Sequence, residues 1–171
     1  MSFEVTIPFW VLTLSYWVHL LSTVVWLGGL ALMAIVGWPA VRRHVLDSDQ
    51  WAMLLRRFTP WANVSMILLW VTGFLQMSSD PNYEGFLTVN SLWSQALLVK
   101  HIAVIGMMVF GFYAQMRIHP KLARLALLEH KQPAMAQEER KHLAQRENRL
   151  LRLNLLFAVL VLFCTAVATA I

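Results

Sequence analysis

The sequence predicts an all-α integral membrane protein, built as a bundle of four transmembrane helices. Of its 171 residues, 58% are hydrophobic and only 13% are charged, which is too apolar a balance for an ordinary soluble domain. The apolar residues also fall into four separate stretches. Each stretch reaches the roughly 20 residues that a helix needs to cross about 30 Å of hydrocarbon. We therefore expect one transmembrane domain over residues 1–171.

Proline and turn residues set the limits of the predicted spans. Pro39 ends the first span, and Pro120 marks the exit from the third. Thr59 is a suitable N-cap for the second span, with Pro60 at the first helical position. No cleavage-site pattern follows the first apolar stretch, so we expect it to remain as a spanning helix. The predicted spans are 9–38, 60–77, 92–117 and 151–171, with a helical arm over 120–150 before the last.

The distribution of basic residues predicts the orientation of the bundle. The segment between spans one and two carries four arginines, and the segment between spans three and four carries nine Lys and Arg residues. The N-terminal tail and the loop 78–91 carry none. The positive-inside rule therefore places both basic segments in the cytoplasm and both termini outside. The basic isoelectric point is explained by this topology, so we expect no nucleic-acid partner.

Two histidines lie deep in predicted spans, where an ionisable group indicates function because its burial in lipid is costly. His19 lies about 14 Å along span one from Trp10, and His101 lies about 12 Å along span three from Trp93. Spans one and three run in the same direction, so both histidines are expected at one level near the outer side. Two imidazoles at one level can bind a single iron axially. This pattern favours a b-type heme with His19 and His101 as its ligands.

Other residues near the histidines fit a cofactor, although each also has a simpler role. Trp26 lies two turns after His19 and could stack on a macrocycle or simply pack. Gly28 and Gly29 permit close approach of either a ring or a neighbouring helix. Lys100 could pair with a heme propionate or extend to the headgroups. A second, inner site that pairs His44 with His119 is a further alternative.

Several short motifs resemble the membrane domain of copper-resistance D (CopD) proteins. They are Trp17–Ser22 with Trp26–Gly29, Arg57–Thr59, Thr72–Leu75 and Leu97–Lys100. The resemblance implies a bacterial inner-membrane protein linked to copper uptake or tolerance. His19 and Lys100 are also similar to the first-helix histidine and third-helix lysine of HemJ-type protoporphyrinogen oxidases, in which that histidine is thought to bind heme. His101 departs from the CopD pattern, in which leucine is expected after the lysine.

Three functional hypotheses follow from the sequence. The first is a membrane heme protein that carries electrons, or acts as an oxidoreductase, near the outer face and is linked to quinol or quinone. The second is a copper permease, since Cu(I) prefers thioether and imidazole ligands. The third is a non-catalytic anchor subunit. The bilayer is the expected partner, alongside a periplasmic redox or copper protein, and a second copy of the chain remains open. The methionines available to copper in spans two and three are Met66, Met107, Met108 and Met116.

Overall fold

The computed structural model describes residues 8–81, 83, 85, 89–128 and 133–170, and all the regular structure in these ranges is helical. Two π-helical turns, Met33–Gly37 and Ala114–Ile118, join consecutive α-helices. The α-helices, in chain order, are α1 (Phe9–Leu32), α2 (Trp38–Arg42), α3 (Ser48–Ser78), α4 (Leu92–Tyr113), α5 (His119–Leu128) and α6 (Pro133–Ala170).

Four helical segments in the described chain are long and apolar enough to cross a membrane. They are Phe9–Arg42, Asp49–Ser78, Leu92–Leu122 and Glu138–Ala170. Large apolar side chains stay exposed along all four, as expected where a helix faces lipid rather than water. The prediction of an all-α, four-helix, multi-pass membrane protein is confirmed. Which end of the bundle faces the cytoplasm remains a prediction. We call the end that carries Arg42, Arg56 and Arg117 the basic end, and the opposite end the loop end.

The first and third spans do not stop at their prolines. Pro39 lies inside α2 and Pro120 inside α5, and each follows a π-helical turn by two residues. Proline normally breaks a helix because it lacks an N–H and its ring clashes with the carbonyl four residues earlier. A wider turn just before the ring shifts that carbonyl away. Both segments therefore continue past the point at which the sequence predicted their ends.

The helix that contains the second predicted span begins earlier than Pro60, and Thr59 is not its N-cap. Helix α3 starts at Ser48, and Asp47 caps it in a reciprocal arrangement with Gln50. Pro60 lies inside this helix. The Thr59 hydroxyl donates to the Leu55 carbonyl at 2.7 Å, one turn before the proline. The apolar pattern could not show that the helix extends three turns beyond the lipid-crossing stretch.

The bundle consists of two antiparallel pairs, α1 with α3 and α4 with α6. Small residues allow the first pair to approach closely, because the ring of Phe58 lies where a side chain on Gly29 would stand. Leu30, Met107 and Ala158 form a buried cluster that joins the two pairs. At the basic end, α6 continues without a break from Pro133 into the fourth span, and Leu143 packs against Leu125 of α5.

Candidate functional site

Four cavities between the described helices form the candidate site, and each is named here after the residues that distinguish it. The loop cavity, of about 230 Å³, is lined by residues that include Met77, Tyr83, Trp93 and His101. The histidine cavity, of about 220 Å³, is lined by residues that include His19, Met66, Lys100 and His101. The methionine cavity, of about 110 Å³, is lined by residues that include Met33, Met66, Met107 and His119. The tryptophan cavity, of about 520 Å³, is lined by residues that include Trp38, Trp51, His119 and Glu147.

Neighbouring cavities share lining residues, so the four follow one another from the loop end to the basic end. His101 lines both the loop and histidine cavities. Met66 lines both the histidine and methionine cavities. His119 and Glu147 line both the methionine and tryptophan cavities. Each boundary therefore carries at least one side chain with a nitrogen, sulfur or carboxylate donor.

The imidazole of His19 is held by a buried threonine on the neighbouring helix. His19 Nδ1 lies 2.8 Å from Thr72 Oγ1, and Thr72 Oγ1 itself donates to the Leu68 carbonyl at 2.6 Å. Because the threonine proton is used in that second bond, His19 Nδ1 must be the donor in the first. The proton is thus fixed on Nδ1, and Nε2 carries the lone pair that a metal would bind.

His101 has the same tautomer for a different reason. Its Nδ1 lies 2.7 Å from the carbonyl oxygen of Leu97, and a carbonyl can only accept a hydrogen bond. Nδ1 therefore carries a proton, and a metal bound by this ring would be bound through Nε2. The rings of Trp70 and Phe74 stand 5.9 and 6.0 Å from the His101 ring, between centroids, and limit its orientation. Both histidines of the histidine cavity consequently have the protonation pattern of metal-binding imidazoles.

Three thioethers, from Met33, Met66 and Met107, line the methionine cavity. Met33 and Met107 are almost fully buried, at 3% and 1% exposure. The sequence prediction included Met66 and Met107 but not Met33, which could be grouped with them only from the packing of the first span against α3 and α4. Met116 is 59% exposed, and the sulfur of Met108 accepts a hydrogen bond from Trp70 Nε1 at 2.9 Å.

At the basic end, Glu147 of α6 is buried against His119 of α5 and Trp51 of α3. Its Oε1 lies 3.4 Å from His119 Nε2, and its Oε2 accepts a hydrogen bond from Trp51 Nε1 at 3.4 Å. Glu147 is only 3% exposed, although it belongs to the helical arm that the sequence predicts over 120–150. A carboxylate is so rarely buried without a partner that its position indicates a structural or functional requirement. No signal in the sequence identified it, because the surrounding residues are mostly charged.

The remaining predicted site residues divide between this row of cavities and the surface. Trp26 and Lys100 line the histidine cavity, and Trp26 also lines the methionine cavity. Gly28 is exposed with open space beside it, whereas Gly29 lies against Phe58. His44 lies in an exposed turn with a φ of 57°. The structure brings His119 to Glu147, as described above.

A heme does not fit the residues that line the histidine cavity. Pockets that bury a drug-sized ligand span roughly 300–1,000 Å³. The histidine cavity, at about 220 Å³, lies below this range, and a heme is larger than most drug-sized ligands. The rings of Trp70 and Phe74 occupy the space beside His101. Across the described residues, no three His, Cys, Asp or Glu side chains come together as a metal cluster. Methionine sulfur lies outside that group of ligands.

A family comparison identifies the protein class. The model described as Copper resistance protein D matches residues 52–168, which is well over half of the chain. The chain belongs to the copper resistance protein D family. The resemblance predicted from the short motifs is therefore confirmed. Comparison with the curated proteins and with the solved structures gives no match.

The family match covers most of the row of cavities. It includes Met66 and His101, which line the histidine cavity, and His119 and Glu147 at the basic end. It begins after α1 and so does not include His19. The membership supports a membrane protein of the copper resistance family and gives no support to a heme.

Proposed function

We propose that this protein conducts Cu(I) across the membrane along the row of four cavities, in a bacterial inner membrane. The observation that carries the proposal is the identity of the shared residues. Each boundary between neighbouring cavities is lined by a residue that can bind Cu(I): His101, then Met66, then His119. Thioether and imidazole are the ligand types that select Cu(I).

The chemistry of the path is ligand exchange, without a change in the oxidation state of copper. The imidazole lone pairs of His19 and His101 would bind the ion in the histidine cavity. Met66 also lines that cavity and would pass the ion to Met33 and Met107 by replacing one soft ligand with another. His119 would receive it at the basic end, where the Glu147 carboxylate supplies negative charge beside a cation.

Lys100 limits how strongly the histidine cavity holds the ion. Its side chain lines the same cavity, and an ammonium there opposes a second positive charge. Conduction requires binding that is favourable enough for entry and weak enough for release. A cation beside two imidazoles and a thioether is one way to reach that balance. Lys100 therefore belongs to the proposed path without being a ligand.

The test is Cu(I) flux into proteoliposomes that carry purified protein and an internal Cu(I) indicator. Met66→Leu keeps the size and apolar character of the side chain and removes the sulfur at the boundary between two cavities. We expect it to reduce flux by more than about tenfold, the lower limit for changes in residues that merely support a metal ligand. Unchanged flux in this variant would show that copper does not pass Met66.

Met116→Leu is the matched control. It makes the same chemical change on a neighbouring span, at a side chain that is 59% exposed and lines none of the four cavities described here. Its flux should equal that of the wild type. Equal losses in Met66→Leu and Met116→Leu would assign the effect to general disturbance of the bundle and would contradict the proposed path.

A further inference from the structure

The tryptophan cavity has properties that copper conduction does not require. At about 520 Å³ it has the largest volume of the four cavities and lies within the range of pockets that enclose a small organic molecule. A single ion, or the one or two waters that would bridge polar groups, needs far less space. Aliphatic and aromatic side chains form most of its lining, among them Val41, Leu55 and Leu122 with the indoles of Trp38 and Trp51.

Two buried polar atoms in the lining of this cavity have no hydrogen-bond partner among the described residues. One is a donor, Trp38 Nε1, and the other is an acceptor, Glu147 Oε1, which lies 3.4 Å from His119 Nε2 without forming a hydrogen bond to it. Both side chains are more than nine-tenths buried, with 7% and 3% exposure. Leaving such groups unpaired costs about 1–3 kcal/mol each, so a bound molecule that satisfies both would be stabilised.

The pairing of one donor with one acceptor restricts the chemistry of that molecule. A phosphate or carboxylate offers acceptors alone and would face the charge of Glu147. An ammonium offers donors alone and would leave Trp38 Nε1 unpaired. A phenolic hydroxyl can do both, since it donates to the carboxylate and accepts from the indole. Its flat ring also suits apolar walls that contain two indoles.

We propose that the tryptophan cavity binds a membrane-soluble hydroxylated aromatic compound of the quinol class. The ring hydroxyl lies between Glu147 Oε1 and Trp38 Nε1, and the apolar part of the molecule contacts the aliphatic lining. The cavity lies at the level of the arginines that flank the spans, where amphipathic rings concentrate at a membrane interface. The proposal concerns binding alone and does not depend on copper conduction.

The test measures binding of a decyl-substituted benzoquinol to the purified full-length chain in detergent, without copper, by equilibrium dialysis. The dimethyl ether of the same compound is the matched ligand, because it keeps the ring and tail and cannot donate a hydrogen bond. A hydrogen bond to a buried carboxylate predicts at least about tenfold tighter binding of the quinol than of the ether. In Glu147→Gln the quinol should bind only a few-fold more tightly than the ether, because the acceptor becomes neutral.

Trp38→Phe removes the indole donor, and Trp61→Phe makes the same change at a side chain that is 67% exposed. We expect weaker quinol binding in the first variant and wild-type binding in the second. Equal affinity for quinol and ether in the wild type would overturn the proposal. So would quinol binding that Trp38→Phe leaves unchanged.

Arg56 and Arg140 also line the cavity, so an anionic lipid is the competing occupant. Mixed micelles that contain phosphatidylglycerol distinguish the two. If the quinol is displaced by that lipid and not by phosphatidylcholine, with the displacement lost in Arg56→Gln, the cavity is a headgroup site and the proposal is wrong. Equal, weak competition by both lipids supports the quinol.

Discussion

Replacing Thr72 by valine tests whether the orientation of His19 matters for copper. The substitution keeps the shape of the side chain and removes the hydroxyl that accepts from His19 Nδ1 at 2.8 Å. Thr72 is 7% exposed, so water cannot readily replace it. The imidazole then loses the contact that keeps its proton on Nδ1. Proton transfer to Nε2 would remove the lone pair from the nitrogen that we propose binds copper.

The expected effect is a 10- to 100-fold loss of Cu(I) affinity in the histidine cavity, which is typical when the partner of a metal-binding histidine is removed. This loss of affinity corresponds to about 1.4–2.8 kcal/mol of Cu(I) binding free energy. The measurement is an anaerobic competition titration against a coloured Cu(I) chelator. Nitrogen NMR of labelled histidine provides an independent readout, because it reports which ring nitrogen carries the proton.

Two further variants serve as controls. Thr72→Ser keeps the hydroxyl and should retain both the affinity and the tautomer. Thr165→Val makes the same chemical change in the same cavity, at a hydroxyl that donates to the Val161 carbonyl of its own helix. It should leave Cu(I) affinity unchanged. If Thr72→Val binds Cu(I) as tightly as the wild type, with the proton still on Nδ1, the reasoning about His19 is refuted.

Three other predictions follow from the packing and the charges. Gly29→Ala should destabilise the bundle by about 1–3 kcal/mol, because the new methyl group overlaps the ring of Phe58. Gly28→Ala places its methyl group in open space and should leave the stability unchanged, and thermal unfolding in detergent compares the two variants. Lys100→Met should raise Cu(I) affinity and slow Cu(I) release in stopped-flow chelation, and lower affinity would contradict its repulsive role. In a Cys164→Ser background, a membrane-impermeant maleimide added outside cells should label Asp80→Cys and not His44→Cys; the reverse pattern would invert the predicted topology.

The fold could be predicted from the sequence because span length and apolarity are properties of continuous stretches. Four such stretches identify four membrane helices without any knowledge of their contacts. The ends of the helices were harder to predict. Local rules predict helix limits at Pro39 and Pro60, but a π-helical turn accommodates the first, and the second lies inside a helix that begins three turns earlier.

The candidate site was only partly predictable for a related reason. His19 and His101 were conspicuous because an ionisable residue stands out in an apolar stretch. Met33 and Glu147 were not, since a methionine is inconspicuous among apolar residues and a glutamate is inconspicuous among charges. Their importance depends on which helix faces them, and that is decided by contacts between helices.

The π-helical turn at Ala114–Ile118 has a consequence for how the two ends of the third span are related. In a regular α-helix, His119 would lie five full turns after His101 and on the same face. The wider turn between them changes this angular relation, so His101 and His119 face different neighbours. Deleting one residue there, such as Met116, would restore a regular helix and keep the direction of His119 relative to His101, because a π-helical turn takes up about one extra residue, or about 100° of rotation. Natural relatives that are one residue shorter at this point and have a regular helix there would therefore have the same four spans and the same lining at the basic end.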